Sequence, residues 1–416
     1  MLRHKSYNID VANESPPRHS FAPSKGDGTP LKRKINTDIT RVYLSPLDTY
    51  EQEKVRETLF PLLDAMLSDN KIEPESLSGK KVVIKPNLLT RREAKVGITT
   101  HPSFVRAAAE FFVGLGAAVV VADSPGGTYS QGVLNALYKT TGIYEACEQS
   151  GATANTDTSY SEVREPEISR LGFSIINPLI EADLIVNLCR LKTHALCEMS
   201  TAVKNMFGSI PGLQKAEQHA RFPKRLDFAD MLCDLCMINA PQINITDGVC
   251  GMEGNGPAGG TLRDVGVVIA SANPFASDLV SAYIIGYEPD EVGTVQCSVK
   301  RGFCPGDISG LEIVGDSPDK YKCTFKRPDS SAGGLLKQLP TIFGGRLQKF
   351  LEPRPVVNTK KCIGCGACAS VCPESTISVK DKKAHINPKN CIKCYCCQEF
   401  CPVKAVEIKQ KFFFKL

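Results

Sequence analysis

Cys362-x-x-Cys365-x-x-Cys368-x-x-x-Cys372-Pro373 is followed by Cys391-x-x-Cys394-x-x-Cys397-x-x-x-Cys401-Pro402. The same twelve-residue phrase occurs twice within one short stretch. Two-residue gaps let three thiolates converge on one face of a cubane iron–sulfur cluster, while the fourth cysteine, followed by proline, is turned aside. Zinc also accepts paired C-x-x-C spacing. It has no use for four cysteines per half at 2-2-3 spacing with a proline after each, so the stretch points to iron and sulfide.

This repeated unit resembles the two-cluster bacterial ferredoxin over residues 354–410. The resemblance implies two [4Fe-4S] clusters with crossed ligation. One site is then Cys362, Cys365, Cys368 and Cys401, and the other is Cys391, Cys394, Cys397 and Cys372. Thr376 to Val379 and Ala384 to Ile386, joined by the turn formers Lys380 to Lys383, predict a short hairpin. Ala405 to Ile408 alternates as a matching strand. Cys396, the ninth cysteine here, is left over as packing or sulfur beside a cluster.

The whole chain has 416 residues, enough for more than one domain with a sizeable core. Of its 18 cysteines, half fall within residues 362–401, eight of them at cluster spacing, and no secretory signal precedes them. A reducing, cytoplasmic setting is expected. No apolar run approaches the ~18 residues a membrane helix requires, so no membrane span is expected. The closing Lys411 to Leu416 is expected to pack against the cluster domain. Net charge is +5, but Arg354 to Leu416 holds twelve Lys/Arg against four Asp/Glu. Much of that excess offsets cluster charge, and the remainder suits an acidic low-potential electron carrier of ferredoxin or flavodoxin type. No nucleic-acid partner is expected, because few aromatic residues accompany the basic ones.

In chain order, residues 1–38 are polar and aperiodic and read as a disordered extension. An α/β domain follows over 39–330. Strands are expected at Arg41 to Leu44, Lys81 to Ile84, Ala117 to Ala122, Leu184 to Leu188, Gln242 to Thr246 and Val265 to Ala270, with helical patterns between several of them. Continuous apolar strands alternating with helices predict a mostly parallel sheet with flanking helices. Residues 331–353 form a linker to the small α+β ferredoxin-like domain at 354–416. In open parallel sheets ligands bind beyond the carboxyl ends of strands. Those ends carry Lys85/Asn87, Asp123, Lys192/His194, Asp247 and Asn273.

Several phrases of the large domain are similar to the domain of unknown function 362 family, which often carries a two-cluster ferredoxin module. They are Val83 to Leu88, Ala122 to Gly126, Leu191-Lys192-Thr193-His194, Thr201 to Gly208, and Asp247-Gly248 with Met252 to Pro257. The resemblance spans residues 40–315 and supplies no substrate.

Lys192, His194, Lys204 and Asn205, with Lys215 and His219 downstream, concentrate cations and donors suited to a phosphate or carboxylate. His194 and Lys192 are the candidate catalytic pair for moving a proton beside electron transfer. Lys85, Asn87, Asp123, Lys204, Asn205, Asp247 and Glu253 are the candidate binding residues. Gly254 to Gly259 matches G-x-G-x-x-G but precedes a strand rather than a helix, so it is no dinucleotide fingerprint. Cys233 and Cys236 lie in a helical apolar pattern and read as core. Cys189, Cys197 and Cys250 fall near the expected pocket. The expected function is an iron–sulfur oxidoreductase passing electrons through two clusters to an anionic substrate or partner cofactor. The alternatives are a non-catalytic electron-transfer subunit whose large domain docks a reductase, and a metal-binding enzyme with structural clusters. Anaerobic purification should return about eight irons and eight sulfides per chain, and zinc in place of iron would overturn the reading.

Overall fold

The computed structural model describes residues 33–333 and 352–409. Its main sheet is built from β1 (Arg41–Pro46), β2 (Lys81–Lys85), β3 (Ala118–Val121) and β4 (Thr153–Ala154). A separate hairpin of β5 (Tyr160–Arg164) and β6 (Gly172–Ile176) intervenes, and the sheet resumes with β7 (Leu184–His194), β8 (Glu198–Ser200), β9 (Ile243–Glu253), β10 (Thr261–Ser271) and β11 (Glu312–Gly315). The order across the sheet is β11-β1-β10-β9-β7-β2-β3-β4, with β8 paired to β7. Strands β9, β7, β2, β3 and β4 run parallel, and β10 is antiparallel to both β9 and β1.

The apolar strands are buried on both faces, as a parallel sheet requires. Val82, Ile84, Val186 and Leu188 face the layer made by helices Gln52–Asp69 and Pro102–Gly114. Val83 and Ile185, on the alternate positions, face helices Arg225–Asn239 and Pro274–Ile284. All eleven residues of β7 are buried, including the polar ones at its carboxyl end. That end, with those of β2 and β3, opens on the same edge of the sheet.

The cysteine-rich segment folds as β12 (Arg354–Val357), β13 (Ile377–Lys380), β14 (Lys383–Ile386) and β15 (Val406–Lys409), with helical turns Ala367–Ser370 and Cys396–Glu399. β12 pairs with β15 and β13 with β14, the expected hairpin among them. The architecture is α/β with a mostly parallel sheet and a small α+β appendage.

Two details depart from the sequence reading. Order begins before residue 39: the Arg33 guanidinium donates to the carbonyls of Leu179 (2.7 Å) and Ala182, and Ile35 joins the core. Asn273 lies away from the site edge, because β10 runs against its neighbours and ends on the opposite side. Its Oδ1 accepts from Phe275 N (3.0 Å) and caps helix Pro274–Ile284. Residues 1–32, 334–351 and 410–416, with most of the expected extension and linker and the Lys411 to Leu416 packing, lie outside the described residues.

Cys233 and Cys236 are buried in helix Arg225–Asn239 among apolar neighbours. The buried Asp278 carboxylate secures the short helix Ala202–Asn205. It accepts from Thr201 Oγ1 (2.6 Å), Ala202 N (2.7 Å) and Val203 N (3.3 Å). Asp278→Ala would orphan these donors, and a loss of about 2–4 kcal/mol is expected. A lowered urea midpoint for the purified protein checks it, and an unchanged midpoint would refute the role.

Candidate functional site

Where β2, β3 and β7 end, the chain places lysines that an apolar interior does not tolerate without compensation. Lys85, fully buried, pairs with Asp123 at 2.7 Å. Burial pulls its ammonium below the ordinary lysine range, and the Asp123 carboxylate works against that pull. Gly208 covers the pair; a Cβ there would sit 2.0 Å from Asp123 Oδ1 and 2.6 Å from Lys85 Nζ. The glycine is needed for close approach.

Lys192 donates to Asn87 Oδ1 (2.6 Å) and Ile98 O (2.8 Å). Asn87 donates to Asn205 Oδ1 (3.0 Å), Asn205 to Asn187 Oδ1 (2.7 Å), and Asn187 to Asn244 Oδ1 (2.9 Å). This relay of amides crosses the floor of the site with its polar groups paired, which fixes the lysine above it. Lys215 reaches in from helix Gln214–Arg221, donating to Ser124 O (2.9 Å), Ser124 Oγ (3.1 Å) and Ile210 O. Burial drives both Lys192 and Lys215 down to about 7, with neighbouring cations pushing the same way. Lys204 differs. Its ammonium stands 5.5 Å from the Phe207 ring and has no hydrogen-bond partner among the described residues.

These groups border one pocket, with Asn87, Asp123, Lys192, Lys204, Asn205, Lys215 and His219 in its wall. The opposite wall is Val371, Cys396, Glu399 and Phe400, from the cysteine-rich segment. Helix Cys396–Glu399 is buried throughout and is held at several points. Glu399 Oε1 lies 3.0 Å from His194 Nε2, Gln398 Nε2 donates to Asn255 O (3.1 Å), and Phe400 rests on Gly126. A Cβ at Gly126 would fall 1.8 Å from the Phe400 ring.

His194 Nδ1 accepts from the amides of Leu196 (3.0 Å) and Cys197 (3.3 Å). Its proton therefore sits on Nε2, facing the Glu399 carboxylate. Burial lowers the imidazole to about 4, so it is neutral at pH 7. Burial would raise the Glu399 carboxyl, but the His194 N–H and the Lys204 ammonium overcome it and keep the group ionised. His219, stacked on Phe228 at 4.4 Å, is lowered by burial to about 3, and its Nδ1 lacks a partner among the described residues.

Behind this wall are two small hollows of matching size. Cys362, Cys365, Cys368 and Cys401 line the first, and Cys372, Cys391, Cys394 and Cys397 line the second, joined there by Cys396. The fourth cysteine of each phrase thus stands with the other phrase's trio. Ala405 N donates to Cys401 Sγ (3.1 Å) and Thr376 N to Cys372 Sγ (3.4 Å), each four residues on from its cysteine. Such amides favour thiolate ligands and tune a cluster. Among the described residues no three donor side chains close around a single metal ion. The thiols stand around a space instead, a donor set that fits a cubane.

The pocket gathers Asn87, Asp123, Lys204 and Asn205 of the expected binding residues but leaves out Lys85, Asp247 and Glu253; Lys85 lies beneath the wall, paired with Asp123. Asp247 lies mid-strand, bound by Tyr50 Oη (2.9 Å) and 3.4 Å from Arg190. Glu253 accepts from Arg263 (3.3 Å) and from Lys326 N (3.1 Å). Neither borders the pocket, because β9 continues past it, paired with antiparallel β10 as far as Glu253. Gly254 to Gly259 is the turn between those strands. Cys189, Cys197 and Cys250 also lie outside the lining. His194 sits behind Glu399 and does not face the ligand space. The sequence reading missed Glu399 and Phe400 altogether. The only signal was an acid and an aromatic between two cluster cysteines.

A sheet whose carboxyl edge is walled by a cysteine-rich ferredoxin module belongs to an iron–sulfur protein. Residues 354–402 match a 4Fe-4S dicluster domain, which establishes [4Fe-4S] binding and an electron-transfer role. Residues 82–283 match the family described as Domain of unknown function (DUF362), and the chain belongs to that family. It is 30% identical over 274 residues to the thylakoid-associated protein sll1697 of Synechocystis sp., covering 64% of this chain and 81% of that one. It is also similar to the lactate racemase apoprotein of Thermoanaerobacterium thermosaccharolyticum, with TM-score 0.35 and 13% identity. That match covers 58% of this chain and 56% of the other, and is too slight to carry function across. Among the described residues no helix is long and apolar enough to cross a membrane.

The depressed lysines set two pH dependences. Their folded-state values lie below the unfolded one, so the unfolded chain binds more protons between about pH 7 and 10.5, and their contribution to stability rises with pH across that window. An anion sees the reverse, since Lys192 and Lys215 are charged only below about pH 7. Sulfate, whose charge is constant over this range, should bind at least about tenfold more tightly at pH 6 than at pH 8.5 by calorimetry. A flat profile would remove both lysines from the site.

Proposed function

We propose that the protein is an oxidoreductase that exchanges electrons between two [4Fe-4S] clusters and a small anionic substrate or cofactor held at the sheet edge. The crossed cysteine sets would each hold one cluster, and when bound these supply one-electron transfer at a potential set by their surroundings. An acidic low-potential carrier of ferredoxin or flavodoxin type is the proposed electron partner, and a reducing cytoplasm the proposed setting. The α/β domain of residues 39–330 and the cluster domain of 354–416 act as one unit in this reading.

A single observation carries it. The pocket that holds the unpartnered Lys204 ammonium has Cys396 in its opposite wall, and Cys396 also lines the second cysteine hollow. One side chain separates the ligand space from a cluster position. Lys204 and Lys215 attract the anion and Asn87 and Asn205 orient the floor beneath it. Lys192 Nζ, near neutrality in its protonation, holds a proton available to a reduced ligand. His194 serves as a positioning residue that fixes Glu399, a change from the expectation that it delivers the proton itself. Apolar Leu88, Phe207 and Phe400 exclude water and strengthen the charges inside.

The test is binding of small carboxylates and phosphate to the anaerobically purified protein, with the EPR spectrum of the reduced state recorded in parallel. Lys204→Met should weaken binding by about tenfold or more with iron content unchanged, and the wild-type spectrum should change on ligand addition. Absence of binding, or equal binding by the variant, would overturn the pocket and leave a docking subunit as the better description.

A further inference from the structure

Ligand access accounts for the inner side of the cysteine module but not for its outer side. Cys365 is the one exposed cysteine among the described residues, and it belongs to the first hollow. The second hollow is turned toward the α/β domain, with Tyr395 packed on Ala195 and Cys396 on the pocket. Around Cys365 the surface is apolar at its centre. Ile363 is 58% exposed and Val403 37%, and both line the rim of the same hollow; Val403 and Lys404 also border a cleft whose other wall holds Arg91, Arg92 and Val133 of the α/β domain. An isolated exposed apolar residue needs no explanation, but a pair on the rim of a cofactor site does.

Exposed lysines ring this centre. Lys360 precedes Cys362 and Lys404 follows Val403. Lys382 is brought over from the hairpin tip, whose backbone lies across Gly364: a Cβ there would sit 2.5 Å from Lys382 O. Lys383 ties the tip down by donating to Cys362 O (2.7 Å). The nearby acids are Asp381, exposed on the tip, and Glu407, which is occupied by Lys361 and Lys409 at 3.1 Å each. The balance on this face is positive, and no described partner neutralises Lys360, Lys382 or Lys404.

We propose that this face is the docking surface of an acidic electron-carrier protein. Ile363 and Val403 form the dry centre, and Lys360, Lys382 and Lys404 steer and orient a carboxylate-rich partner over Cys365. The proposal rests on the reading of the protein as a redox protein and adds the place where the partner sits. A basic ring with an apolar centre sets encounter rate and salt dependence through the charges, and residence through the apolar contact. The exchange is one electron lost by the carrier and one gained by this protein, with no bond formed between them.

The test uses the iron-loaded protein and a reduced flavodoxin as the acidic probe, followed by stopped-flow at low and high salt. Zero-length carbodiimide cross-linking, read by mass spectrometry, maps the contact independently of electron flow. The wild-type rate should fall steeply with salt, and cross-links should form at Lys360, Lys382 or Lys404. The triple variant Lys360→Glu, Lys382→Glu, Lys404→Glu should lose about tenfold or more of the low-salt rate, with iron content and EPR spectrum unchanged. Lys54→Glu, on helix Gln52–Asp69, should leave the rate alone. If flavodoxin reduces the triple variant at the wild-type rate and cross-links elsewhere, the surface is misplaced while the redox reading stands. If the flavodoxin neither reduces nor cross-links the wild type, the partner assignment fails with it.

Discussion

Ammonium groups gathered beneath a dry surface are the constraint on which this structure depends. A charge taken out of water must be paired, hydrogen-bonded or discharged, and each lysine at the sheet edge meets that demand differently. Lys85 takes a carboxylate, Lys192 a side-chain amide and a carbonyl, and Lys215 backbone carbonyls. Only Lys204 is left with an aromatic ring. The amide relay through Asn87, Asn205, Asn187 and Asn244 exists to serve this edge, since it ties the lysine-bearing strand to its neighbours from below. Glu399 then supplies negative charge from above. The cysteine module is thereby an electrostatic part of the α/β site as well as a neighbour of it.

The same wall explains the unusual neatness of the His194 arrangement. Two backbone amides hold Nδ1 as an acceptor, so the ring has only Nε2–H to offer, with Glu399 Oε1 3.0 Å away. A histidine in this state orients and does not titrate near neutrality. The residue with a near-neutral proton is a lysine whose neighbours are other cations. Burial and like charge together have exchanged the usual roles of the two residue types.

What could be read from sequence followed the range of the interactions. The cysteine phrases are local: ligand spacing within each dozen residues carries the chemistry, and Cys372 and Cys401 each line the hollow of the other phrase's trio. Strands β2, β3 and β7 announce themselves as apolar runs, and the polar residues after β2 and β3 and at the carboxyl end of β7 mark the site edge. Strand direction is not local, so the expected place of Asn273 at the site edge does not survive the antiparallel run of β10. Nor does a strand signal where its partner stops, so Asp247 and Glu253 were grouped with a pocket that β9 passes by. Glu399 and Phe400 were invisible for a third reason. Their role comes from contacts with His194 and Gly126, more than a hundred residues earlier in the chain.

Gly126 deserves a different description from the other glycines at the edge. Its backbone torsion is one any residue adopts, yet the Phe400 ring occupies the space a methyl group would need. The position works as a spacer of zero thickness between the sheet and the redox module. The closeness of Phe400 to the sheet edge is thus written into the chain by the absence of a single carbon atom.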